Sequence, residues 1–186
     1  GDSGPSPDWH KQQLETDRVL GLIDELADLG TSIIRFTGGG EPFLHKDILK
    51  LIRAVKQHGI FCAVTTSLNM IGPDQADEIV DSGVDELSVS LWASNGAEYV
   101  ATHPNKTEKT FERITSALKR IAERKGGKRS SFLRLLDNKP QLPRVNLLNV
   151  ISKLNCHGLE AMYDYALLVD ADSIYFTVVD IIEGCT

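Results

Sequence analysis

Apolar residues follow two alternating spacings along the chain, one of about 3.6 residues and one of two residues. Thr16 is able to cap the first predicted helix, and Gly30 ends it. The second predicted helix ends at Gly59, Pro73 opens the third and Thr107 begins the fourth. A fifth covers 159–169, and the predicted strands cover 31–36, 60–65, 86–91, 145–151 and 173–179.

The alternation of strand and helix predicts an α/β fold with parallel strands and right-handed crossovers. A doubly wound sheet and a (β/α) barrel both fit this pattern. The length of 186 residues suits one domain with a sizeable core. Residues 125–143 interrupt the rhythm with a long, mostly polar segment. We expect a solvated surface loop there, and the alternative is a loop that contacts a substrate or a partner.

Charge and composition narrow the class of protein. The hydrophobic fraction of 41% and the charged fraction of 25% are ordinary for a globular protein. A net charge of −6 argues against a general surface for nucleic acid or anionic membrane. No apolar run reaches the length of a membrane span, and the first residues do not resemble a signal segment. These features predict a cytoplasmic protein.

The three cysteines are too few and too widely spaced for a disulfide framework or a closely spaced metal-cluster motif. Cys62 lies inside a strand pattern and is expected in the core. Cys156 and His157 are adjacent, and they could bind a metal or act as nucleophile and base. Cys185 is the penultimate residue. The sequence therefore predicts no metal ligands within this chain.

A loop of three glycines follows the first predicted strand. Gly38, Gly39 and Gly40 are followed directly by Glu41 and Pro42. Consecutive glycines cost conformational entropy unless unusual dihedral angles or a close approach to the backbone requires them. The carboxylate suits an ammonium ligand, whereas glycine loops that hold phosphate carry a lysine or a helix N-terminus instead. The alternative is a tight turn from strand to helix.

Polar residues also mark the ends of the other predicted strands. Thr66 and Ser67 end the second strand, Ser88 and Ser90 share one face of the third, and Asn149 lies in the fourth. Ligands of parallel α/β folds bind beyond the carboxyl ends of the strands. This rim suits a ligand with ribose hydroxyls, an amino group and a carboxylate, unless these residues merely end strands and cap helices. Because no catalytic triad or carboxylate pair is evident, we expect the chemistry to come from a cofactor.

The segment 36–42 resembles the Gly-Gly-Glu-Pro loop of radical S-adenosylmethionine (radical SAM) enzymes, and 64–67 and 86–91 resemble two further strands of that family. The resemblance implies a partial (β/α) barrel of TIM-barrel type. It implies that a four-iron four-sulfur (4Fe–4S) cluster cleaves SAM to give a 5′-deoxyadenosyl radical, which abstracts hydrogen. It also implies an electron donor and a small-molecule or peptide substrate.

The same resemblance assigns roles to residues. Gly39, Gly40 and Glu41 would hold the methionyl amino group of SAM, and Ser88 or Ser90 would meet its ribose or carboxylate. The complete set of predicted cofactor-binding residues is Gly38, Gly39, Gly40, Glu41, Thr66, Ser67, Ser88, Ser90 and Asn149.

Three departures from the family pattern are visible. The cluster motif C-x-x-x-C-x-x-C does not occur, Ser67-Leu68 stands where the family often has Asn-Gly, and Trp92 stands in place of Asp. We therefore expect 1–12 to be a loop remnant and 13–186 a partial barrel truncated at both ends, inactive without the cluster loop. The alternatives are a non-catalytic SAM-binding or interaction module, or an ordinary barrel enzyme that binds another ligand.

Overall fold

The computed structural model describes residues 13–126 and 142–178. The predicted loop remnant 1–12, most of the segment 125–143, and Cys185 lie outside the described residues. The helices are α1 (Thr16–Asp28), α2 (Ile48–Gln57), α3 (Pro73–Asp81), α4 (Gly96–Thr102), α5 (Glu108–Arg124) and α6 (Leu159–Leu168). The strands are β1 (Ile33–Phe36), β2 (Phe61–Thr66), β3 (Glu86–Ser90), β4 (Arg144–Ile151) and β5 (Ser173–Val178), and a short 3-10 helix covers Pro42–Leu44.

The five described strands form one parallel sheet in the order β1-β2-β3-β4-β5. Each strand pairs with the next one in the chain, so the order never reverses. A doubly wound sheet needs such a reversal, because its helices cover both faces. Right-handed crossovers that all run in one direction place the helices on a single face. This confirms the predicted parallel α/β fold and favours the barrel-type arrangement.

One face of the sheet and the helices enclose the apolar core. Because side chains alternate along a strand, Cys62 and Val64 of β2 share a face with Leu87 and Val89 of β3, and all four are buried. They pack in one cluster with apolar residues of α2, α3 and α5. Burial raises the pKa of the Cys62 thiol to about 12. The prediction that Cys62 belongs to the core is confirmed.

The opposite face of the sheet is polar. In register across it lie Arg35 and Glu86, whose side chains form an ion pair at 2.9 Å. In the next row, the Ser173 hydroxyl donates to Asn146 Oδ1 at 2.6 Å, and Ser88 lies in register with Asn146. We call this surface the polar face. In these two rows the polar side chains bond to one another, and in the following row Ser90 lies in register with Leu148 and Tyr175.

Two local predictions differ from the structure. Thr16 does not cap α1, because the N-cap residue is Glu15 and Thr16 is already helical. Its hydroxyl instead donates to Asp47 Oδ2 at 2.5 Å and so links α1 to the start of α2. The sequence pattern also missed α4, which is only seven residues long. The signal for α4 was Asn95, whose side chain accepts from the Glu98 N–H and caps the helix.

A buried carboxylate joins β2 to β3 at their amino ends. The Asp85 N–H donates to the Cys62 carbonyl at 2.9 Å, and Asp85 Oδ2 accepts from the Cys62 N–H at 2.7 Å. The same oxygen accepts from Lys56 Nζ at 2.6 Å. Asp85 therefore extends the backbone pairing by one residue with its side chain and also binds the helix that precedes β2.

The arrangement is repeated between β4 and β5. The Asp172 N–H donates to the Val145 carbonyl at 2.8 Å, and Asp172 Oδ2 accepts from the Val145 N–H at 2.8 Å. Lys125, at the C-cap of α5, pairs with the same carboxylate through a nearly inaccessible side chain. In both cases an aspartate stands just before a strand and binds the N–H of the neighbouring strand that comes earlier in the chain. The same carboxylate pairs with a lysine at the end of the helix that leads into that earlier strand.

We expect Asp85→Ala to lower the free energy of unfolding by about 2–3 kcal/mol, because the Lys56 ammonium loses its charged partner and the Cys62 N–H loses its acceptor. Urea unfolding followed by circular dichroism measures the loss. The matched control is Asp81→Ala, which removes a carboxylate that is 59% exposed and pairs with Arg124. That change should cost less than about 1 kcal/mol. Equal losses for the two variants would contradict a special role for Asp85.

Candidate functional site

The glycine loop, residues 38–40, leaves β1 at the carboxyl end of the sheet. Its glycines differ in backbone conformation. Gly38 has φ = +143°, a conformation that other residues rarely adopt. Gly40 has no such φ, and a Cβ built on it would meet no atom within 4 Å. The tight-turn alternative therefore accounts for Gly38 but not for Gly40. Among the described residues, no neighbouring atom would clash with a side chain at position 40.

The Glu41 carboxylate ties the loop to the end of β2. Its Oε1 accepts from the Thr66 hydroxyl at 2.6 Å and from the Phe43 N–H at 3.2 Å. Its Oε2 accepts from the N–H and the hydroxyl of Ser67 at 2.8 and 2.5 Å. A carboxylate offers about four acceptor positions, and these four donors use them. Glu41 thus fixes the loop in place and brings a negative charge beside the exposed glycine backbone.

A cavity of about 310 Å³ opens between the glycine loop and the ends of β2 and β3. This volume lies near the lower end of the range for small-molecule sites. Seven of the nine predicted cofactor-binding residues line it, together with Thr37 and Thr65. The seven are Gly38, Gly39, Gly40, Glu41, Thr66, Ser67 and Ser90. The structure therefore brings most of the predicted rim into one place.

Ser88 does not line this cavity. It lies one pleat below Ser90 on the polar face and is 4% exposed. Its hydroxyl donates to Glu86 Oε1 at 3.3 Å, and the Arg35 guanidinium approaches it at 3.5 Å. Ser88 belongs to the hydrogen-bonded interior of the polar face.

Asn149 lies on the other face of the sheet. It is three residues from Asn146, so alternation places the two side chains on opposite faces. Asn149 Oδ1 accepts from the Trp92 N–H at 3.0 Å, and Asn155, which the sequence reasoning missed, donates to the Trp92 carbonyl at 2.9 Å. Both asparagines hold the backbone that follows β3. Only the position of Asn155 in the turn after a strand could have indicated such a role.

A second cavity of about 310 Å³ lies on the other side of the glycine loop, against β1 and the starts of α1 and α2. Leu14, Val19 and His45 contribute to it, and the Leu14 carbonyl lies 3.0 Å from His45 Nε2. The backbone of residues 38–40 borders both cavities. Thr37 and Glu41 also contribute to both.

Within residues 13–126 and 142–178, no group of three or more His, Cys, Asp or Glu side chains could hold a metal ion. Cys156 is exposed, and its sulfur lies 3.9 Å from the Lys153 carbonyl. No helix in these ranges has the length and apolar character needed to cross a membrane.

The chain matches the model of a protein family described as the Radical SAM superfamily. The match covers residues 3–138, which is well over half of the chain. The glycine loop, β2 and β3 all lie within the matched residues.

Several curated proteins are similar to parts of the chain. An AdoMet-dependent heme synthase of Nitratidesulfovibrio vulgaris is 33% identical over 48% of this chain and 24% of its own length. A GTP 3′,8-cyclase of Chlorobaculum tepidum is 33% identical over 59% of the chain and 32% of its own length. A PqqA peptide cyclase of Rhodopseudomonas palustris is 25% identical over 87% and 38%. The chain thus spans less than two fifths of the length of each of these relatives.

Solved structures share the fold at low sequence identity. Streptococcus suis SuiB bound to S-adenosylmethionine superposes with a TM-score of 0.67 and 15% identity, over 91% of this chain and 35% of that one. The protein anSMEcpe with bound AdoMet gives a TM-score of 0.59 and 14% identity, over 89% and 43%. The described sheet therefore has the partial barrel architecture of radical SAM structures.

We expect Glu41→Gln to loosen the glycine loop, because an amide NH₂ replaces one acceptor and then faces donors of Thr66, Phe43 or Ser67. The free energy of unfolding should fall by about 1–3 kcal/mol, and the Ser67 amide hydrogen should exchange faster with solvent. Hydrogen exchange followed by NMR measures both.

The control for this prediction is Glu78→Gln, the same chemical change at an exposed position of α3. It should change stability by no more than about 0.5 kcal/mol and leave Ser67 exchange unaltered. Unchanged Ser67 protection in Glu41→Gln would show that the carboxylate does not hold the loop.

Proposed function

This chain belongs to the radical SAM superfamily, and we propose that it forms the SAM-binding core of a radical SAM enzyme. In this proposal the cavity between the glycine loop and the ends of β2 and β3 binds the methionyl end of SAM, and Gly38, Gly39 and Gly40 lie along the amino group of the ligand. With SAM and a reduced 4Fe–4S cluster bound, the intact enzyme would generate a 5′-deoxyadenosyl radical for hydrogen abstraction. An electron donor is part of the same proposal.

The observation that carries the proposal is that seven of the nine predicted cofactor-binding residues, Gly40 among them, line one cavity. No backbone angle and no neighbour within 4 Å demands a glycine at position 40. An uncrowded glycine in an ordered loop leaves room for another molecule to approach the main chain. The exposed carbonyls of the loop suit an ammonium group, and the Glu41 charge beside them favours a cation over a phosphate.

The residues that line the cavity contribute to binding in different ways. Glu41 acts mainly through its charge and through the position that Thr66 and Ser67 give it, since these groups already donate to its oxygens. The hydroxyls of Thr65 and Ser90 line the same cavity and offer donors and acceptors to carboxylate or ribose oxygens. By the same reasoning, Ser88 and Asn149 support the site without contacting the ligand.

The described residues do not fit a 4Fe–4S cluster. They contain no group of potential metal ligands, and the 186 residues contain no C-x-x-x-C-x-x-C spacing. We therefore place the cluster ligands in the full-length protein outside this sequence. In this proposal the chain by itself does not generate the radical.

The alternative function is a non-catalytic SAM-binding or interaction module on the same barrel. The two functions differ in one product, 5′-deoxyadenosine, which only the enzyme would release. The full-length protein, reconstituted with iron and sulfide and reduced with dithionite, should release 5′-deoxyadenosine from SAM. SAM binding without such release would favour the module.

The substrate class remains broad. The relatives of this chain include a peptide cyclase and a heme synthase, and SuiB has been solved with the precursor peptide SuiA. We propose a peptide or small-molecule substrate, with no role for nucleic acid or membrane. A cytoplasmic location belongs to the same proposal.

We expect Gly40→Ala to fold normally but to weaken SAM binding about tenfold or more, because its methyl group enters the space reserved for the ligand. Isothermal titration calorimetry with SAM measures the dissociation constant, and thermal unfolding measures the fold. The control is Gly21→Ala on the exposed side of α1, where an added Cβ also meets no atom within 4 Å.

The control should keep the SAM affinity of the original chain and gain about 0.5–1 kcal/mol of stability from the better helix propensity. Equal SAM affinity in the Gly40 and Gly21 variants would remove the support for a ligand at this loop. No SAM binding by either this chain or the full-length protein would overturn the proposed function.

A further inference from the structure

Trp92 has an unusual backbone conformation at the carboxyl rim of the sheet. It follows β3 by two residues, and its φ is +60°. This left-handed region favours glycine, and asparagine and aspartate tolerate it better than a bulky aromatic residue does. Strain of this kind persists only where the surroundings hold it, and it concentrates at functional sites. The position is therefore a candidate for a role that the rest of the fold does not require.

Two buried amides hold this strained backbone. Asn149 Oδ1 accepts from the Trp92 N–H at 3.0 Å, and Asn155 Nδ2 donates to the Trp92 carbonyl at 2.9 Å. Both asparagines are 2% exposed. Asn155 is fixed in turn, since it also donates to the Val150 carbonyl and accepts from the Ser152 N–H. The end of β4 and the turn after it thus determine where the Trp92 side chain lies.

Trp92 is partly buried, unlike its two neighbours in the chain. Leu91 and Ala93 on either side are 1% exposed, whereas Trp92 is only half-buried. Its ring rests against His103, with centroids 5.0 Å apart, and His103 stacks on the fully buried Tyr99 at 4.2 Å. Burial lowers the pKa of His103, which favours the neutral imidazole. We call Trp92, His103 and Tyr99 the aromatic shelf.

The aromatic shelf begins just beyond the carboxyl end of β3, at the same edge of the sheet as the glycine loop. Neighbouring strands are about 4.8 Å apart, so the end of β3 is roughly 10 Å along the rim from the glycine loop after β1. Ser90, two residues before Trp92, lines the cavity that also contains Gly40. In SAM, the amino group and the adenine are at opposite ends of the molecule. Because β1 is the edge strand of the described sheet, a SAM molecule that has its amino group at the glycine loop and extends along the strand ends would run towards β3 and β4.

We propose that Trp92 is a binding residue whose indole stacks on the adenine ring of SAM. This inference rests on the proposed function, because it takes the amino group of SAM to lie at the glycine loop. The hydrogen bonds from Asn149 and Asn155 then hold the Trp92 backbone in its strained conformation, so that the indole is positioned before the base binds.

Substitution of Trp92 tests the stacking. Glycine adopts φ = +60° without strain, so Trp92→Gly keeps the backbone path while it removes the ring. Its dissociation constant for SAM in calorimetry should rise about fivefold or more, the range measured when a stacking aromatic is removed. Trp92→Phe should recover a large part of the affinity. Thermal unfolding verifies that both variants are folded.

Fluorescence gives an independent readout. The chain has two tryptophans, so Trp9→Phe leaves Trp92 as the sole tryptophan emitter. SAM and S-adenosylhomocysteine should quench its emission in step with calorimetric binding, whereas methionine, which has no adenine, should not. Full SAM affinity in Trp92→Gly, or SAM binding without a change in Trp92 emission, would overturn the assignment and leave the proposed function standing. Failure of the original chain and the full-length protein to bind SAM would overturn both.

Discussion

The sheet depends on the capture of backbone N–H groups at strand ends by acidic or amide side chains. Each of the four described strand pairs has one such contact, and the contacts alternate between the two ends of the sheet. In order from β1, the acceptors and the N–H groups are Glu41 with Ser67, Asp85 with Cys62, Asn149 with Trp92, and Asp172 with Val145. A parallel strand that ends its ladder leaves such donors unpaired, and an unpaired buried donor is costly. These side chains therefore fix where each strand pair stops.

The two ends of the sheet use this device for different purposes. At the amino ends, Asp85 and Asp172 also pair with lysines from the helices, so the contacts lock helix to sheet. At the carboxyl ends, Glu41 holds a loop with an exposed glycine backbone, and Asn149 holds the backbone of the half-buried Trp92. The same kind of hydrogen bond thus stabilises the amino ends of the strands and positions the loops at their carboxyl ends, where a ligand would bind.

Much of the fold was predictable because it depends on local periodicity. All five strands and five of the six described helices follow from apolar spacing and from glycine or proline at their ends. The helix α4 was missed because its seven residues carry too short an apolar pattern, and its stability comes from the buried Tyr99. The residues around the glycine loop were predictable from parallel strand ends. The separation of Asn149 from them was not predictable, because its amide oxygen accepts from the Trp92 N–H, which is 57 residues away in the chain.

The roles within the site were less predictable than its location. A glutamate after three glycines suggests a ligand contact, but the sequence cannot show that Thr66 and Ser67 already donate to its oxygens. Long-range hydrogen bonds of this kind depend on how β1 and β2 are aligned. The same limit applies to Asn155, whose partner Trp92 is 63 residues away in the chain.

The division of the sheet into a helix-packed face and a polar face has a consequence for redesign. Along β3, Leu87 and Val89 belong to the core, whereas Ser88 and Ser90 belong to the polar face. Neighbouring positions therefore answer to different physical requirements, apolar packing at one and hydrogen bonding at the next. An engineer could exchange Ser90, which lines the cavity, while Leu87 and Val89 preserve the scaffold.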